Sequence, residues 1–203
     1  MKGPEIIQNE KGQVTDYLLP CCILLINRRA GKQHHATHTL TNMNTSFTYK
    51  ILDRLFDFLG NLSLKNRLRM GAVLNFIAPL FMKRRIAIVK KNFELSFPDA
   101  TKEQRELWQK QHIRGLCQSI IDRGFVWYGD QQKIEDQVRL KNFHHIQNAL
   151  DRNEPIILLA PHFIGLDVAA TRLTISLTES ATIYSAQRQP DIDAIIRKGR
   201  ARF

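Results

Sequence analysis

The chain has 203 residues, of which 43% are hydrophobic and 24% charged, and its three cysteines form no CxxC pair. This composition is close to that of an average globular domain, and it excludes a scaffold held together by disulfides. The net charge of +11 predicts an anionic partner. Four classes of partner fit: nucleic acid, an anionic membrane face, a phosphorylated substrate and an acidic carrier protein.

The first 45 residues show little periodic pattern, and we predict that they form a poorly ordered extension. They contain two adjacent cysteines, Cys21 and Cys22, and a cluster formed by His34, His35 and His38. The spacing of these residues is irregular compared with that of structural zinc sites. We therefore predict no metal site in the chain.

From residue 46 onward, apolar residues recur at helical spacing. One helix is predicted around residues 49–59 and a more apolar one over 64–82, and residues 83–91 then contain five cations. An apolar segment beside cations is typical of an interfacial membrane anchor. The alternative is a soluble amphipathic helix pair with a solvated basic end. No stretch reaches the ~20 apolar residues that a membrane-spanning helix needs.

After a break at Phe97-Pro98-Asp99, Thr101 and Gln104 fit a capping box that opens a long helix to about Tyr128. Strands and helices then alternate, which predicts an α/β fold with parallel βαβ units. The apolar run at 156–160 is expected to be buried on both faces of the sheet. Strands are predicted at 138–140, 156–160 and 182–185, and helices at 143–151, at 166–177 and from Pro190 with its isoleucines inside.

His162 follows directly on the apolar run at 156–160, and Asp167 comes five residues later. Ligands of α/β proteins bind at the carboxyl ends of such strands. A bend at Gly165 places Asp167 in the first turn of the next helix, where its carboxylate can orient the imidazole of His162 as a base. The alternative is an aspartate that complements the helix dipole beside an incidental histidine. No serine or cysteine nucleophile accompanies the pair, so we predict a general base that acts on a hydroxyl.

A second polar cluster, Arg197, Lys198, Arg200 and Arg202, places four cations within six residues. By chain order, this helix lies beside His162 at the same edge of the sheet. Arginines at that position suit a phosphate or carboxylate group of a ligand. The alternative is a basic helix end that only faces solvent.

Together these features resemble the lipid A biosynthesis acyltransferases, the late acyltransferases that add secondary acyl chains to a lipid A precursor. The resemblance runs from about Thr48 to Phe203. Its landmarks are Arg84-Arg85 through Asn92, Phe97-Pro98, the His-x4-acid motif at His162 and Asp167, and a second block from Tyr184 to Gly199-Arg200-Ala201-Arg202.

The resemblance implies an O-acyltransferase at the cytoplasmic face of a bacterial inner membrane. It would move a fatty acyl chain from acyl–acyl carrier protein to a hydroxyl of a lipid A precursor. His162 would be the general base and Asp167 its orienting partner, while Arg200 and, as its companion, Arg202 would bind the substrate. The implied partners are acyl carrier protein, an anionic glycolipid and the membrane surface, without nucleic acid. No metal or organic cofactor is implied.

Two departures from the family pattern shape the expected architecture. Asp167 stands where late acyltransferases commonly carry Glu, and family members continue beyond Phe203. We therefore expect a C-terminally truncated chain with an extension over 1–45, an N-terminal membrane-associated helical segment over 46–96, and a partial acyltransferase domain with an incomplete parallel sheet over 97–203. Residues 1–42 match no part of the family pattern, so Met43 is the predicted natural start. The alternative function is that of an inactive truncated remnant that acts at most as a membrane-surface binding protein.

Overall fold

The computed structural model describes residues 22–26, 46–177, 180–182 and 184–203. Most of the described residues are helical, and a small sheet forms the rest of the regular structure. The elements in chain order are β1 (Cys22–Ile26), α1 (Phe47–Gly60), α2 (Leu64–Phe81), α3 (Lys83–Ser96), α4 (Lys102–Tyr128), α5 (Gln131–Gln137), α6 (His144–Asp151), β2 (Ile156–Ala160), α7 (Leu166–Ile175), β3 (Ala181–Thr182) and α8 (Pro190–Arg200).

Side-chain caps define where the N-terminal helices begin. The hydroxyl oxygens of Ser46 and Ser63 accept backbone N–H bonds from the first turns of α1 and α2. At the start of α4, the backbone N–H of Gln104 donates to the Thr101 hydroxyl at 3.2 Å, and the backbone N–H of Thr101 donates to Gln104 Oε1 at 2.9 Å. The predicted capping box is thus confirmed, and it satisfies backbone groups that the helix itself leaves free.

Helix α4 is the central element of the fold, because α1, α2, α3, α7 and α8 all pack against it. Trp127 is only 4% exposed and lies in the core. Full burial of such large apolar side chains stabilises the fold by about 1.5–3 kcal/mol each. The buried apolar residues of α4 are Ile113, Cys117, Ile121, Phe125, Val126 and Trp127.

A buried arginine ties α2 to α4. The guanidinium of Arg67 lies 3.6 Å from the ring centroid of Phe125, and its Nη2 donates to Gln137 Oε1 at 2.6 Å. Its Nε is 3.4 Å from Asp122 Oδ1. A buried cation needs such partners because the loss of water around it is costly.

The sheet has the strand order β2-β1-β3, and both pairings are antiparallel. Ile26 pairs with Ile156, and Leu24 pairs with Thr182. Strands β2 and β3 therefore run in the same direction but are not paired with each other, because β1 lies between them. The predicted parallel sheet is not confirmed, although β2, α7 and β3 keep the chain order of a βαβ unit.

Strand β1 lies within the segment predicted to be a poorly ordered extension over 1–45, and that prediction is wrong for residues 22–26. A run of only five apolar residues without alternation does not distinguish a strand from other apolar segments. The rest of that segment, including Cys21 and the histidine cluster, lies outside the described residues.

Three further predictions need correction. The strand expected at 138–140 is absent from the described chain. Helix α5 lies just before this position instead; the side chain of Asp130 caps its start, and Ile134 is buried. A three-residue alternation was too short to indicate a strand. The strand expected at 182–185 begins at Ala181 and ends, within the described residues, at Thr182. The isoleucines of α8 are not all inside, since Ile192 is exposed.

Strand β2 is not buried on both faces as predicted. Its burial alternates, and Ile157 and Leu159 are 71% and 70% exposed, whereas Leu158 and Ala160 face a cavity. Among the described elements, helices cover only one face of the sheet. A continuous apolar run therefore did not indicate burial here, because sequence alone does not show which faces are covered.

The three N-terminal helices carry a dense set of exposed large apolar side chains, which we call the N-terminal apolar surface. None of the described helices is both long and apolar enough to cross a membrane. The surface consists of Phe47, Ile51, Leu55, Phe58, Leu64, Leu68, Val73, Phe76, Leu80, Phe81, Ile88 and Leu95.

Candidate active site

The end of β2 and the start of α7 place His162 and Asp167 where the sequence predicts them. A tight turn joins the two elements, with the backbone N–H of Phe163 donating to the Pro161 carbonyl at 3.0 Å and that of Leu166 donating to the Phe163 carbonyl at 3.1 Å. Asp167 falls in the first turn of α7. The histidine therefore sits in the turn and the aspartate on a helix.

The imidazole of His162 is exposed to solvent. Within the part of the chain that the structure describes, it forms no hydrogen bond or ion pair, and none joins it to Asp167. The catalytic roles of the two residues accordingly stay predictions. Catalytic hydrogen bonds are often formed only once substrate is bound, so this geometry leaves the pairing of the two side chains open to test.

Asp167 instead lies between two arginines. Its Oδ1 accepts bonds from Nε and Nη2 of Arg200 at 3.0 and 2.7 Å, and its Oδ2 accepts a bond from Nε of Arg123 at 2.9 Å. The Asp167 side chain is only 13% exposed. Charge-assisted bonds of this kind are about twice as strong as neutral ones, so they fix the carboxylate.

Arg123 is a residue of this site that sequence reasoning missed. It lies on α4, and α5, α6 and β2 separate this helix from α7, which carries Asp167. Its guanidinium carbon is 5.9 Å from the ring centroid of Trp127, one turn further along α4. A polar residue on a long amphipathic helix carries no local signal of its partner, because only the tertiary packing of α4 against α7 brings the two together.

The two predicted substrate-binding arginines have different surroundings. Arg200 lines a cavity beside α7, and its guanidinium carbon lies 5.6 Å from the ring centroid of Tyr184. Arg202 donates from Nη1 to the backbone carbonyl of Gly129 and lies 4.8 Å from the ring centroid of Phe203. Arg202 thus connects the end of α8 to the end of α4, and it is not among the cavity residues.

A cavity of about 350 Å³ lies between the inner face of the sheet and helices α7 and α8. Its walls are mostly apolar, and Asp167 and Arg200 supply the charged groups among its described lining residues. Phe163, which follows His162 in the chain, is part of its wall. The lining residues are Leu158, Ala160, Phe163, Leu166, Asp167, Ala169, Ala170, Thr171, Leu173, Thr174, Ser180, Thr182, Gly199, Arg200, Ala201 and Phe203.

Tyr184 and Asp193 of the second sequence block form a hydrogen-bonded pair. The Tyr184 hydroxyl donates to Asp193 Oδ1 at 2.6 Å, and the backbone N–H of Gln187 donates to the same oxygen at 2.6 Å. Burial, together with the bond to Asp193, raises the pKa of Tyr184 to about 12, and the tyrosine bond lowers the pKa of Asp193. The pair holds the segment before α8 onto that helix, so this part of the block has a structural role.

Comparison with known proteins identifies the family. Residues 32–203 match the family described as bacterial lipid A biosynthesis acyltransferase. The chain belongs to this family. The match begins at residue 32, so the expectation that residues 1–42 match nothing in the family is wrong for the last part of that segment.

Individual relatives of this chain carry related names. A lipid A biosynthesis acyltransferase of Haemophilus influenzae is 26% identical over 120 residues, which are 59% of this chain and 38% of the relative. The lipid A biosynthesis lauroyltransferase of Escherichia coli is 26% identical over 134 residues, or 66% of this chain and 44% of the relative. The lipid A biosynthesis palmitoleoyltransferase of the same organism is 23% identical over 133 residues, which are 66% of this chain and 43% of the relative.

The matches span about two fifths of the length of these curated relatives. No solved structure matches the chain significantly.

Proposed function

We propose that this chain transfers a fatty acyl group from acyl–acyl carrier protein to a hydroxyl of a lipid A precursor at the cytoplasmic face of a bacterial inner membrane. The observation that carries the proposal is the apolar cavity with the Asp167–Arg200 ion pair in its wall, in a chain of this family. An apolar cavity with a few convergent polar groups is typical of a binding site for a largely apolar ligand. The proposed reaction uses the carrier-bound acyl group as a substrate and needs no cofactor.

In the proposed mechanism, a ring nitrogen of His162 takes the proton from the acceptor hydroxyl. The oxygen attacks the thioester carbonyl carbon, so that a C–O bond forms and the C–S bond breaks. The thiolate of the carrier leaves and takes the proton back from the imidazolium. Support comes from the exposed imidazole, which can reach an incoming hydroxyl, and from the neighbouring Phe163 in the cavity wall.

Asp167 can orient His162 without losing its present partners. Each carboxylate oxygen has two lone pairs, and among the described residues the one bond that Oδ2 accepts comes from Arg123. One acceptor position therefore stays available for an imidazole N–H. We propose that substrate binding turns the His162 ring toward this position, where the carboxylate fixes the tautomer and stabilises the imidazolium.

Arg200 is proposed to bind a phosphate of the acceptor or the negative charge that develops on the thioester oxygen. It already lines the cavity, and its planar guanidinium suits such an oxyanion. Arg202 would act only indirectly, because it is engaged with the end of α4.

The proposed partners fit the surface of the protein. The N-terminal apolar surface lies on the same helices as the cations of α3, Lys83, Arg84, Arg85, Lys90 and Lys91. Apolar side chains that enter the lipid boundary and cations that meet anionic headgroups together stabilise interfacial binding. The positive charge also favours encounter with an acidic carrier protein.

The test is an acyl-transfer assay with acyl–acyl carrier protein and a lipid A precursor in mixed vesicles. We expect transfer by the wild type and a loss of about 100-fold or more in His162→Ala, which is the scale of a general-base contribution. His145→Ala is the matched control, because His145 is exposed on α6 and absent from the cavity wall. Transfer that survives His162→Ala would refute the mechanism. Vesicle binding without transfer by the wild type would favour the alternative of a membrane-surface protein.

A further inference from the structure

The geometry points to Arg123 as a positioning residue of the proposed active site, a step that rests on the proposed acyl transfer. It holds the Asp167 carboxylate in place from α4 while Arg200 is free to leave Asp167 for a substrate anion. Arg123 would act through Asp167 and would not itself touch the substrate.

Arg123 and Arg200 bind different oxygens of the Asp167 carboxylate. Arg123 binds Oδ2 through one bond of 2.9 Å, and both bonds from Arg200 go to Oδ1. Arg200 and Asp167 line the cavity, whereas Arg123 is not among the lining residues. An anion that enters the cavity can therefore compete for Arg200 without displacing Arg123.

The supporting elements differ in the same way. Arg123 lies in the interior of α4, and its neighbours Ile121, Gly124 and Phe125 are buried. Arg200 is the last residue of α8. Helical backbone continues on both sides of Arg123, whereas α8 ends at Arg200, so the backbone restrains Arg123 from more sides than Arg200. Arg123 is thus suited to permanent positioning and Arg200 to exchange.

Charge balance also favours an Arg123 that remains bound to Asp167. The Asp167 side chain is largely buried, and one carboxylate between two guanidiniums leaves one net positive charge. If Arg200 moved to a phosphate and no other cation remained, the carboxylate would be buried without a partner, which is unfavourable. With Arg123 in place, the remaining pair is neutral and Arg200 can leave.

The experiment compares Arg123→Gln, Arg123→Lys, Asp167→Asn and the double variant Arg123→Gln/Asp167→Asn. Arg114→Gln is the matched control, because Arg114 is exposed on the same helix and forms no hydrogen bond or ion pair within the described residues. For each protein, kcat and KM for acyl–acyl carrier protein are measured, and urea unfolding gives a parallel double-mutant cycle.

We expect Arg123→Gln to lower kcat by up to about 100-fold, the effect of displacing a catalytic group by about 1 Å, with KM for the donor changed less than about three-fold. Arg123→Lys should recover part of kcat, since it keeps the charge but loses the planar guanidinium. The double variant should be no slower than Asp167→Asn, because a residue that acts through Asp167 has nothing left to position.

Full kcat in Arg123→Gln, an additive double variant, or an equal loss in Arg114→Gln would overturn the inference. If the wild type transfers no acyl group at all, the proposed function fails separately. In that case, coupling between Arg123 and Asp167 in the unfolding cycle supports the positioning contact, and its absence overturns it.

Discussion

Gly199 of α8 lies directly against the indole of Trp127 in α4. A Cβ atom built on Gly199 would come within 2.4 Å of the indole Cγ, so the two helices can approach this closely only with glycine at that position. The next residue, Arg200, depends on this approach to reach Asp167. The glycine of the second sequence block thus has a packing reason that is separate from the chemistry of the arginine.

We expect Gly199→Ala to lower the free energy of unfolding by about 1–3 kcal/mol, because the added methyl overpacks a buried aromatic contact. Gly115→Ala in α4 is the control, since a Cβ there would meet only the side chain of Ile164, with Cδ1 at 3.2 Å and Cγ2 at 3.8 Å. Alanine also favours a helix interior over glycine by up to ~1 kcal/mol. Urea unfolding measures both, and equal stability of the two variants would contradict the assignment.

Asp53 links α1 to both α4 and α8. Its Oδ1 accepts bonds from the Tyr128 hydroxyl at 2.5 Å and from Lys198 Nζ at 2.6 Å. We expect Asp53→Ala to cost about 1–3 kcal/mol, because it leaves a partly buried tyrosine hydroxyl without an acceptor. Lys198→Ala should cost less than about 1 kcal/mol, since the Lys198 side chain is half exposed. Thermal or urea unfolding checks the order, and a larger loss for Lys198→Ala would reverse the interpretation.

The Tyr184–Asp193 pair gives a pH dependence. The bond from Tyr184 lowers the pKa of Asp193 below its ordinary 3.8. The Asp193 carboxyl group therefore binds its proton less tightly in the folded chain than in the unfolded chain. The pair therefore stabilises the fold above about pH 4, and this contribution is lost as pH falls through the lowered pKa. The stability difference between wild type and Tyr184→Phe should shrink from pH 7 to roughly pH 3.

Tyr49→Phe is the control for this measurement, because the Tyr49 hydroxyl forms no hydrogen bond within the described residues, and its effect should not change over the same range. Urea midpoints at each pH provide the comparison. A Tyr184→Phe difference that stays constant from neutral to acid pH would show that the bond does not favour the ionised carboxylate.

The N-terminal apolar surface predicts binding to anionic vesicles. Phe76 is 84% exposed, so Phe76→Glu should lower vesicle affinity by about ten-fold, the equivalent of ~1.4 kcal/mol of lost apolar burial, without lowering stability. Gln111→Glu adds the same charge at an exposed position of α4 and should have less effect. Vesicle flotation measures the affinity, and equal losses in the two variants would indicate a general charge effect.

Local signals in the sequence predicted the features that local interactions determine. The capping box at Thr101 and Gln104 was readable because both bonds join residues three apart. The positions of His162 and Asp167 follow from one strand–turn–helix unit. The Arg123–Asp167 contact was not readable, because it depends on the angle at which α7 packs on α4. The position of β1 was missed for the same reason, since the residues of a strand do not indicate which other strand it pairs with.

The position of β1 has a consequence for how the chain folds. Its nearest pair with β2, Ile26 with Ile156, joins residues about 130 positions apart, whereas the helices that surround α4 mostly lie close to it in sequence. Loop closure over so long a stretch is slow compared with helix association. We therefore expect the helical part to form early and the sheet late, which would place completion of the cavity among the last events of folding.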